Sequence, residues 1–84
     1  MHGDFIDESG NFVNFNDDRI PSLIELQTLV GGYIRVVYLP NGDQMIVDDD
    51  GLMVGKTTNV YASTVASTLI VGDVVILSGK GKLK

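Results

Sequence analysis

The sequence predicts an α+β domain with a mostly antiparallel sheet of five or six strands, a main helix at about 22–30 and a short helix at about 60–67. Two observations predict this fold class. Short runs of β-branched and aromatic residues alternate with turns rich in Gly, Asn and Asp, which is typical of antiparallel strands. One segment instead carries apolar residues at helical spacing between a cap and a glycine pair. The chain length of 84 residues predicts a single domain, 1–84, and no linker divides it.

The N-terminal region predicts a β-hairpin over 4–15. Two apolar stretches, Phe5-Ile6 and Phe12–Phe15, flank the turn-forming cluster Glu8–Asn11. Gly10 in that cluster supplies the positive φ that a tight turn often requires. Two strands are therefore expected at the start of the sheet.

The main helix has a start signal and a stop signal. Ser22 and Glu25 have the spacing of a capping box, in which each side chain accepts a hydrogen bond from the other residue's backbone N–H. Leu26 and Val30 follow at helical spacing, and Gly31-Gly32 ends the helix because Gly adopts the left-handed C′ conformation without penalty. A helix of about nine residues is marginal alone, so it must pack on an apolar sheet.

A second hairpin follows the helix. Tyr33–Leu39 and Gln44–Val47 are rich in β-branched and apolar residues, and Pro40-Asn41-Gly42 forms the turn between them. After an acidic turn, Leu52–Val54 predicts a further short strand.

The segment 57–68 has two interpretations. Asn59 is a good N-cap and an apolar pair lies four residues apart behind it, whereas the many β-branched residues favour an extended chain. We favour the helix. Leu69–Leu77 then predicts one strand that bends at Gly72.

Two strand segments are apolar on both faces, which has a consequence for the fold. Val36-Val37 and Val74–Leu77 lack the polar alternation of a half-exposed strand. One helix of about nine residues is only about 14 Å long and covers part of one face. We therefore expect the other face to close into a small barrel or to be covered by a second subunit, and we favour a homo-oligomer.

Composition narrows the classes of partner. The net charge of −5 disfavours nucleic acid, and no apolar stretch reaches the length of a membrane span. The chain has no Cys and only one His, His2, which excludes a common zinc site and thiol chemistry, so we expect no cofactor. The absence of Cys also fits a cytoplasmic protein, which is the location that we expect. Residues 79–84 predict a flexible basic tail, with phosphate binding by that tail as the alternative.

The stretch Leu26-Gln27-x-x-Val30-Gly31-Gly32-Tyr33-Ile34 resembles the signature of a family of uncharacterised small domains encoded mainly by bacteriophages and bacterial mobile elements. The likeness continues through Asp49-Asp50-Gly51-Leu52, Asn59 and Ile70-Val71-Gly72, and covers nearly the whole chain. An Arg that often follows the family's Asn is Val60 here, so a function tied to that Arg is not expected. The resemblance implies a phage-type origin and a host bacterial cytoplasm, and it implies no assigned activity.

Three acidic residues are the candidate metal ligands. Asp48, Asp49 and Asp50 could hold Ca²⁺ or Mg²⁺ through carboxylate oxygens, but the spacing is not that of an EF-hand loop. The simpler interpretation is a solvated turn, and we expect no metal.

Arg35, Lys56 and Asn59 are the candidate ligand-binding residues. Backbone amides near Asn59 together with Lys56 could hold a phosphate or carboxylate, whereas the simpler role of Asn59 is helix capping. Arg35 could anchor an anion at a subunit junction, or pair with an acid such as Asp43.

Three functions follow in order of preference. The first is a non-enzymatic, phage-type accessory protein that self-associates and binds a host protein or a small ligand. The second is a sponge for a nucleotide-like anion at a subunit junction, formed by Arg35, Lys56 and Asn59. The third is a metal-dependent hydrolase that uses Asp48, Asp49 and Asp50. We expect no enzyme, because no Ser, His or carboxylate pair has the spacing of a catalytic group.

Overall fold

A computed structural model describes residues 1–79 and 82–83, and within them five strands form one antiparallel sheet with two helices. The elements are β1 His2–Ile6, β2 Phe12–Asn16, α1 Leu23–Val30, β3 Ile34–Tyr38, β4 Gln44–Asp48, α2 Val60–Ala66 and β5 Val74–Leu77. The strand order is β2-β1-β5-β4-β3, and every neighbouring pair is antiparallel. The predicted α+β class, both hairpins and both helices are confirmed. The sheet is open, with β2 and β3 at its edges, so the barrel alternative is wrong.

The main helix begins and ends as its sequence signals predict. The Ser22 hydroxyl accepts a hydrogen bond from the Glu25 N–H, and the Glu25 carboxylate accepts one from the Ser22 N–H, which completes the capping box. Gly31 has φ 82° and its N–H donates to the Gln27 carbonyl, 2.8 Å away. The left-handed backbone here favours glycine, because a side chain would clash with the following carbonyl.

Two strand predictions in the second half need correction. Leu52–Val54 was predicted as a strand but lies in a turn, because β4 already pairs with β3 on one side and β5 on the other and offers no free edge. Leu69–Leu77 was predicted as one bent strand. Only β5 is regular strand, while Val71 makes an isolated bridge to Thr58 and the chain bends at Gly72, whose φ is 76°.

The sheet carries a helix on each face. The chain itself therefore covers the face that we expected barrel closure or a second subunit to cover. On one side, which we call the α1 face, Leu26 and Val30 pack on Ile46, Val75 and Leu77. On the opposite side, the α2 face, alternate residues of the same strands join a second cluster. That cluster contains Ile6, Leu39, Met45, Val47, Ala62, Ile70, Val74 and Ile76. The layer that we assigned to a barrel or a neighbouring subunit is the chain's own α2 and the segment around it.

The predicted flexible tail, 79–84, includes Lys80, Gly81 and Lys84, which lie outside the described residues. Leu83 contacts the apolar cluster of the α1 face. The Gln44 side chain accepts from the Leu83 N–H at 2.6 Å and donates to the Leu83 carbonyl at 2.7 Å. Leu83 therefore packs on the sheet, while the flexibility predicted for 79–84 stays a prediction.

Candidate functional site

An ion pair lies where β4 ends, beneath the turn that follows α1. The Lys56 ammonium is 2.5 Å from Asp48 Oδ2, and the Asp48 side chain is only 4% exposed. The same Nζ donates to the Val30 carbonyl at 2.7 Å. Lys56 therefore ties the last carbonyl of α1 to the end of β4, and it satisfies a helix-terminal acceptor that has no partner within the helix.

The charges of this pair set the ionisation of Asp48. Burial acts to raise the pKa of Asp48, but the hydrogen bond from Lys56, the Asp50 N–H and the charge on Lys56 outweigh burial and hold the pKa below its ordinary value. Asp48 is therefore ionised at neutral pH. A buried pair of this kind stabilises the fold only while both partners are present.

Two glycines make room for the ion pair. A Cβ on Gly32 would lie 2.9 Å from an Asp48 carboxylate oxygen, and a Cβ on Gly72 would lie 2.8 Å from Cδ of Lys56. Both distances are closer than real side-chain contacts allow. The second glycine of the Gly31-Gly32 pair therefore serves close packing on Asp48, in addition to the helix stop that the sequence predicted.

Asn59 is completely buried and its amide is used inside the fold. Its Oδ1 accepts from the Ala62 N–H at 3.0 Å, which confirms the predicted N-cap of α2. Its Nδ2 faces three carbonyl oxygens, 3.2 Å from Ile6, 3.2 Å from Asp7 and 2.9 Å from Gly72. One side chain thus joins α2, the end of β1 and the bend before β5.

Arg35 lies on the α2 face of the edge strand β3. Its ion-pair partner is Asp49, so the predicted pairing with Asp43 is wrong. Its Nε is 3.5 Å from an Asp49 carboxylate oxygen, and both side chains are half exposed. Arg35 lies opposite Val47 in the register, next to the acidic turn, whereas Asp43 lies beyond the other end of the strand. An exposed pair of this type contributes little to stability, about 0–1 kcal/mol.

The concave site beside Arg35 is small. A cavity of about 30 Å³ is bounded by residues of β3, β4 and the segments before and after α2. Its lining is formed by Arg35, Val47, Asp48, Asp49, Leu52, Leu69, Ile70 and Val71. Small-molecule sites commonly measure about 300–1,000 Å³, so this cavity has room for a water molecule and not for a nucleotide.

The three predicted ligand residues do not converge on one surface. Lys56 is engaged by Asp48 and by the Val30 carbonyl, and Asn59 is enclosed in the core. Only Arg35 reaches solvent beside the cavity.

The acidic run is also divided among three roles. Asp48 pairs with Lys56, Asp49 pairs with Arg35, and the Asp50 N–H donates to Asp48 Oδ1 at 2.9 Å. Over 1–79 and 82–83, no group of three or more His, Cys, Asp or Glu side chains is arranged to hold a metal ion.

Sequence reasoning missed the Asp48–Lys56 pair, although two signals for it were present. Asp48 directly follows the apolar run Met45-Ile46-Val47, so it is expected at the end of a buried strand. Lys56 is the only basic residue between Arg35 and Lys80. A buried acid requires a partner, and this lysine was the nearest candidate in sequence.

The turn held by the ion pair exposes three consecutive apolar side chains, which we call the apolar tip: Leu52, Met53 and Val54. They are 64%, 87% and 66% exposed. The turn is nevertheless ordered by backbone hydrogen bonds, from the Val54 N–H to the Asp50 carbonyl at 3.1 Å and from the Lys56 N–H to the Gly51 carbonyl at 3.0 Å. Consecutive exposed apolar residues on an ordered turn are typical of protein-binding surfaces.

Comparison with known proteins gives a family and no further relative. A family model described as a domain of unknown function, DUF3846, matches residues 5–83. No curated protein and no solved structure matches the chain. In the part of the chain that the structure describes, neither helix has the length and apolar character needed to cross a bilayer.

Proposed function

Since the chain belongs to the DUF3846 family of domains of unknown function, we propose from its own surface that it is a non-enzymatic accessory protein that self-associates and binds another protein. The observation that carries this proposal is the apolar tip, Leu52, Met53 and Val54, on a turn that the Asp48–Lys56 pair holds in place. The exposed apolar side chains lose contact with water when a partner covers them, which favours association.

The position of the tip suits it to binding. The ion pair and the backbone hydrogen bonds of the turn fix its shape before a partner arrives, so little conformational entropy is lost on binding. Met53 is the most exposed of the three residues, and methionine adapts to irregular partner surfaces.

The same geometry weighs against the two alternatives. An anion sponge would need Lys56 and Asn59 to give up the interactions that join α1, β4 and α2. A metal-dependent hydrolase would need Asp48 to leave its ammonium partner. Each change would cost the fold a buried polar contact.

The proposal extends to the origin and location of the protein. The Leu26-Gln27-x-x-Val30-Gly31-Gly32-Tyr33-Ile34 stretch resembles domains carried by bacteriophages and mobile elements, which supports a phage-type protein in the cytoplasm of a bacterial host. The partner is then a host protein with an apolar recess that receives the tip.

The test compares two pairs of exposed apolar residues. Leu52→Ser/Met53→Ser removes the tip, and Leu23→Ser/Ile24→Ser makes the matched change on α1, where the side chains are similarly exposed. A host protein captured by the wild-type chain is identified by mass spectrometry, purified and titrated against all three proteins by calorimetry. We expect the tip variant to bind at least tenfold more weakly and the α1 variant to bind like wild type.

Equal affinity of the tip variant and wild type for the purified partner would overturn the proposal. So would the absence of any protein that binds the purified chain with a defined stoichiometry.

A further inference from the structure

Among the residues that the structure describes, the edge strand β3 has a row of backbone groups without a hydrogen-bond partner. Leu39 N–H donates to the Asp43 carbonyl at 2.9 Å, and Asp49 N–H donates to the Tyr33 carbonyl at 2.8 Å. Hydrogen-bonded pairs alternate along an antiparallel ladder, so residues 33, 35, 37 and 39 direct their backbone groups at β4. Ile34, Val36 and Tyr38 therefore direct their N–H and C=O groups outward, away from the sheet.

We propose that a second copy of this chain pairs with β3 in antiparallel orientation and joins the two sheets into one continuous sheet. This inference rests on the self-association proposed above and names its surface. Each copy contributes five strands, and the two β3 strands meet at a two-fold axis. An isologous contact of this kind is the usual form of a protein dimer.

The spacing of the free groups is complementary to itself. When Val36 lies opposite Val36 of the second copy, Ile34 lies opposite the second Tyr38 at each end of the ribbon. All three outward-facing residues then form hydrogen-bonded pairs, and each pair exchanges two backbone hydrogen bonds. A shift by two residues in either direction leaves one outward-facing residue of each copy without a partner.

The side chains favour the same register. Ile34, Val36 and Tyr38 share the α1 face of the sheet, so the pairs across the junction are Ile34 with Tyr38 and Val36 with Val36. Tyr38 is 74% exposed, and this pairing covers it. Apolar and aromatic cross-strand pairs stabilise a sheet.

Charge disfavours one of the two shifted registers. On the α2 face, Arg35 lies opposite Val37 of the second copy when the Val36 residues meet. The shift that places Ile34 opposite Val36 would bring the two Arg35 side chains together, and like charges directly opposite each other destabilise a sheet. The register with the most hydrogen bonds is therefore also free of this repulsion.

The opposite edge is less suited to pairing with itself. In β2 the outward-facing residues are Phe12, Asn14 and Asn16, because Asp7 and Asp17 donate to the hairpin partner strand. Symmetric pairing there would place Phe12 against an Asn16 and Asn14 against an Asn14. Asn14 is also held by the Asp4 carboxylate at 2.8 Å. The outward-facing residues of β3 are therefore apolar or aromatic, whereas two of the three in β2 are Asn.

The α1 helix packs mainly over the central strands β4 and β5, although Ile34 and Val36 of β3 also contact the same apolar cluster. Its buried residues Leu26 and Val30 pack over Ile46 of β4 and over Val75 and Leu77 of β5. No Pro or Lys interrupts β3, although natural edge strands commonly use these residues to prevent pairing. The edge is short, about 17 Å for five residues at about 3.4 Å each, so we expect a reversible dimer.

Sedimentation velocity over a wide concentration range tests this interface. Tyr38→Pro removes one outward N–H and an exposed side chain, and proline is tolerated on an edge strand where the N–H faces solvent. Asn16→Pro makes the same change at an outward-facing residue of β2. We expect wild type and Asn16→Pro to dimerise alike, and Tyr38→Pro to dimerise at least tenfold more weakly. Tyr38→Lys, which alters only an exposed side chain, serves as the second variant and is expected to weaken the dimer in the same direction.

The outcomes separate this interface from self-association in general. A dimer that forms equally well in Tyr38→Pro and Tyr38→Lys would overturn the β3 interface and leave self-association standing. A dimer lost only in Asn16→Pro would place the contact at β2 and overturn the inference as well. A wild-type chain that stays monomeric at all concentrations would overturn both the interface and the proposed self-association, while binding of another protein by the apolar tip would remain a separate result.

Discussion

Lys56→Met tests whether the Asp48–Lys56 pair holds the fold together. The substitution keeps a chain of similar length but removes the ammonium group. Asp48 then loses the partner 2.5 Å away while its side chain stays 4% exposed, and the Val30 carbonyl loses its donor at 2.7 Å. The carboxylate would be left charged, buried and without a counter-ion.

The size of the effect follows from that burial. Removing one partner of a buried ion pair typically costs about 3–5 kcal/mol. Lys56 is 24% exposed, so water replaces part of the lost interaction and the lower end of the range applies. We expect a loss of about 3 kcal/mol in the free energy of unfolding, which is a large fraction of the stability of a small domain.

Urea denaturation measures this loss. For a small domain the free energy of unfolding falls by about 1 kcal/mol per molar urea, so the midpoint should decrease by about 3 M. Lys82→Met is the matched control, because the Lys82 ammonium makes an exposed hydrogen bond to the Gly42 carbonyl, and its effect should stay within about 0.5 kcal/mol. The double variant Asp48→Asn/Lys56→Met should lose at least about 1 kcal/mol less than the sum of the two single variants.

A Lys56→Met protein as stable as Lys82→Met would refute this reasoning. Strict additivity of the two substitutions at Asp48 and Lys56 would refute it equally, because two residues in an ion pair cannot act independently.

Three further predictions concern the buried amide, the helix cap and acid stability. Asn59→Asp keeps the capping oxygen but sets a carboxylate against three carbonyl oxygens, so thermal unfolding should show a loss of at least about 3 kcal/mol; a loss below 1 kcal/mol would contradict the role of the amide. Ser22→Ala should cost about 1 kcal/mol in urea denaturation because one half of the capping box disappears, and an unchanged midpoint would count against that cap. The folded pKa of Asp48 lies below its unfolded value of 3.8, so its stabilising contribution is present above that value and is lost as the pH falls through the folded pKa. Stability measured between about pH 5 and pH 2 should therefore fall less in Asp48→Asn than in wild type, and parallel curves would contradict this assignment.

Local signals in the sequence were sufficient for most elements. The capping box at Ser22 and Glu25, the glycine stop at Gly31 and the turn at Gly42 each depend on residues within a few positions of one another. Such short-range geometry is encoded by residue type, and the corresponding helix and hairpin were predicted correctly.

Long-range contacts explain what was missed. The Lys56 ammonium meets the Val30 carbonyl across 26 positions of sequence, and the Asn59 amide meets the Ile6 carbonyl across 53 positions. No pattern within one segment reports such contacts. The sequence predicts α2 as a helix, but no pattern in segment 57–68 indicates that it packs on the second face of the sheet. That layer was therefore expected from barrel closure or from another subunit.

For the candidate ligand residues, too, local features were predicted and long-range contacts were missed. Asn59 was recognised as a helix cap from its neighbours, but the carbonyl oxygens that occupy its amide come from β1 and from the bend at Gly72. Arg35 was assigned to Asp43, which is near in the hairpin, whereas the register brings it to Asp49. The residue types pointed to polar interactions, and only the fold identified the partners.

Hydrogen exchange of the β3 amides at two protein concentrations is the most direct measurement of how these molecules assemble. The N–H groups of Arg35 and Val37 face β4 and should be protected at both concentrations. Those of Ile34, Val36 and Tyr38 should exchange quickly in dilute solution and become protected as the concentration rises. Rapid exchange of these three amides in a sample that is fully dimeric would contradict pairing at β3.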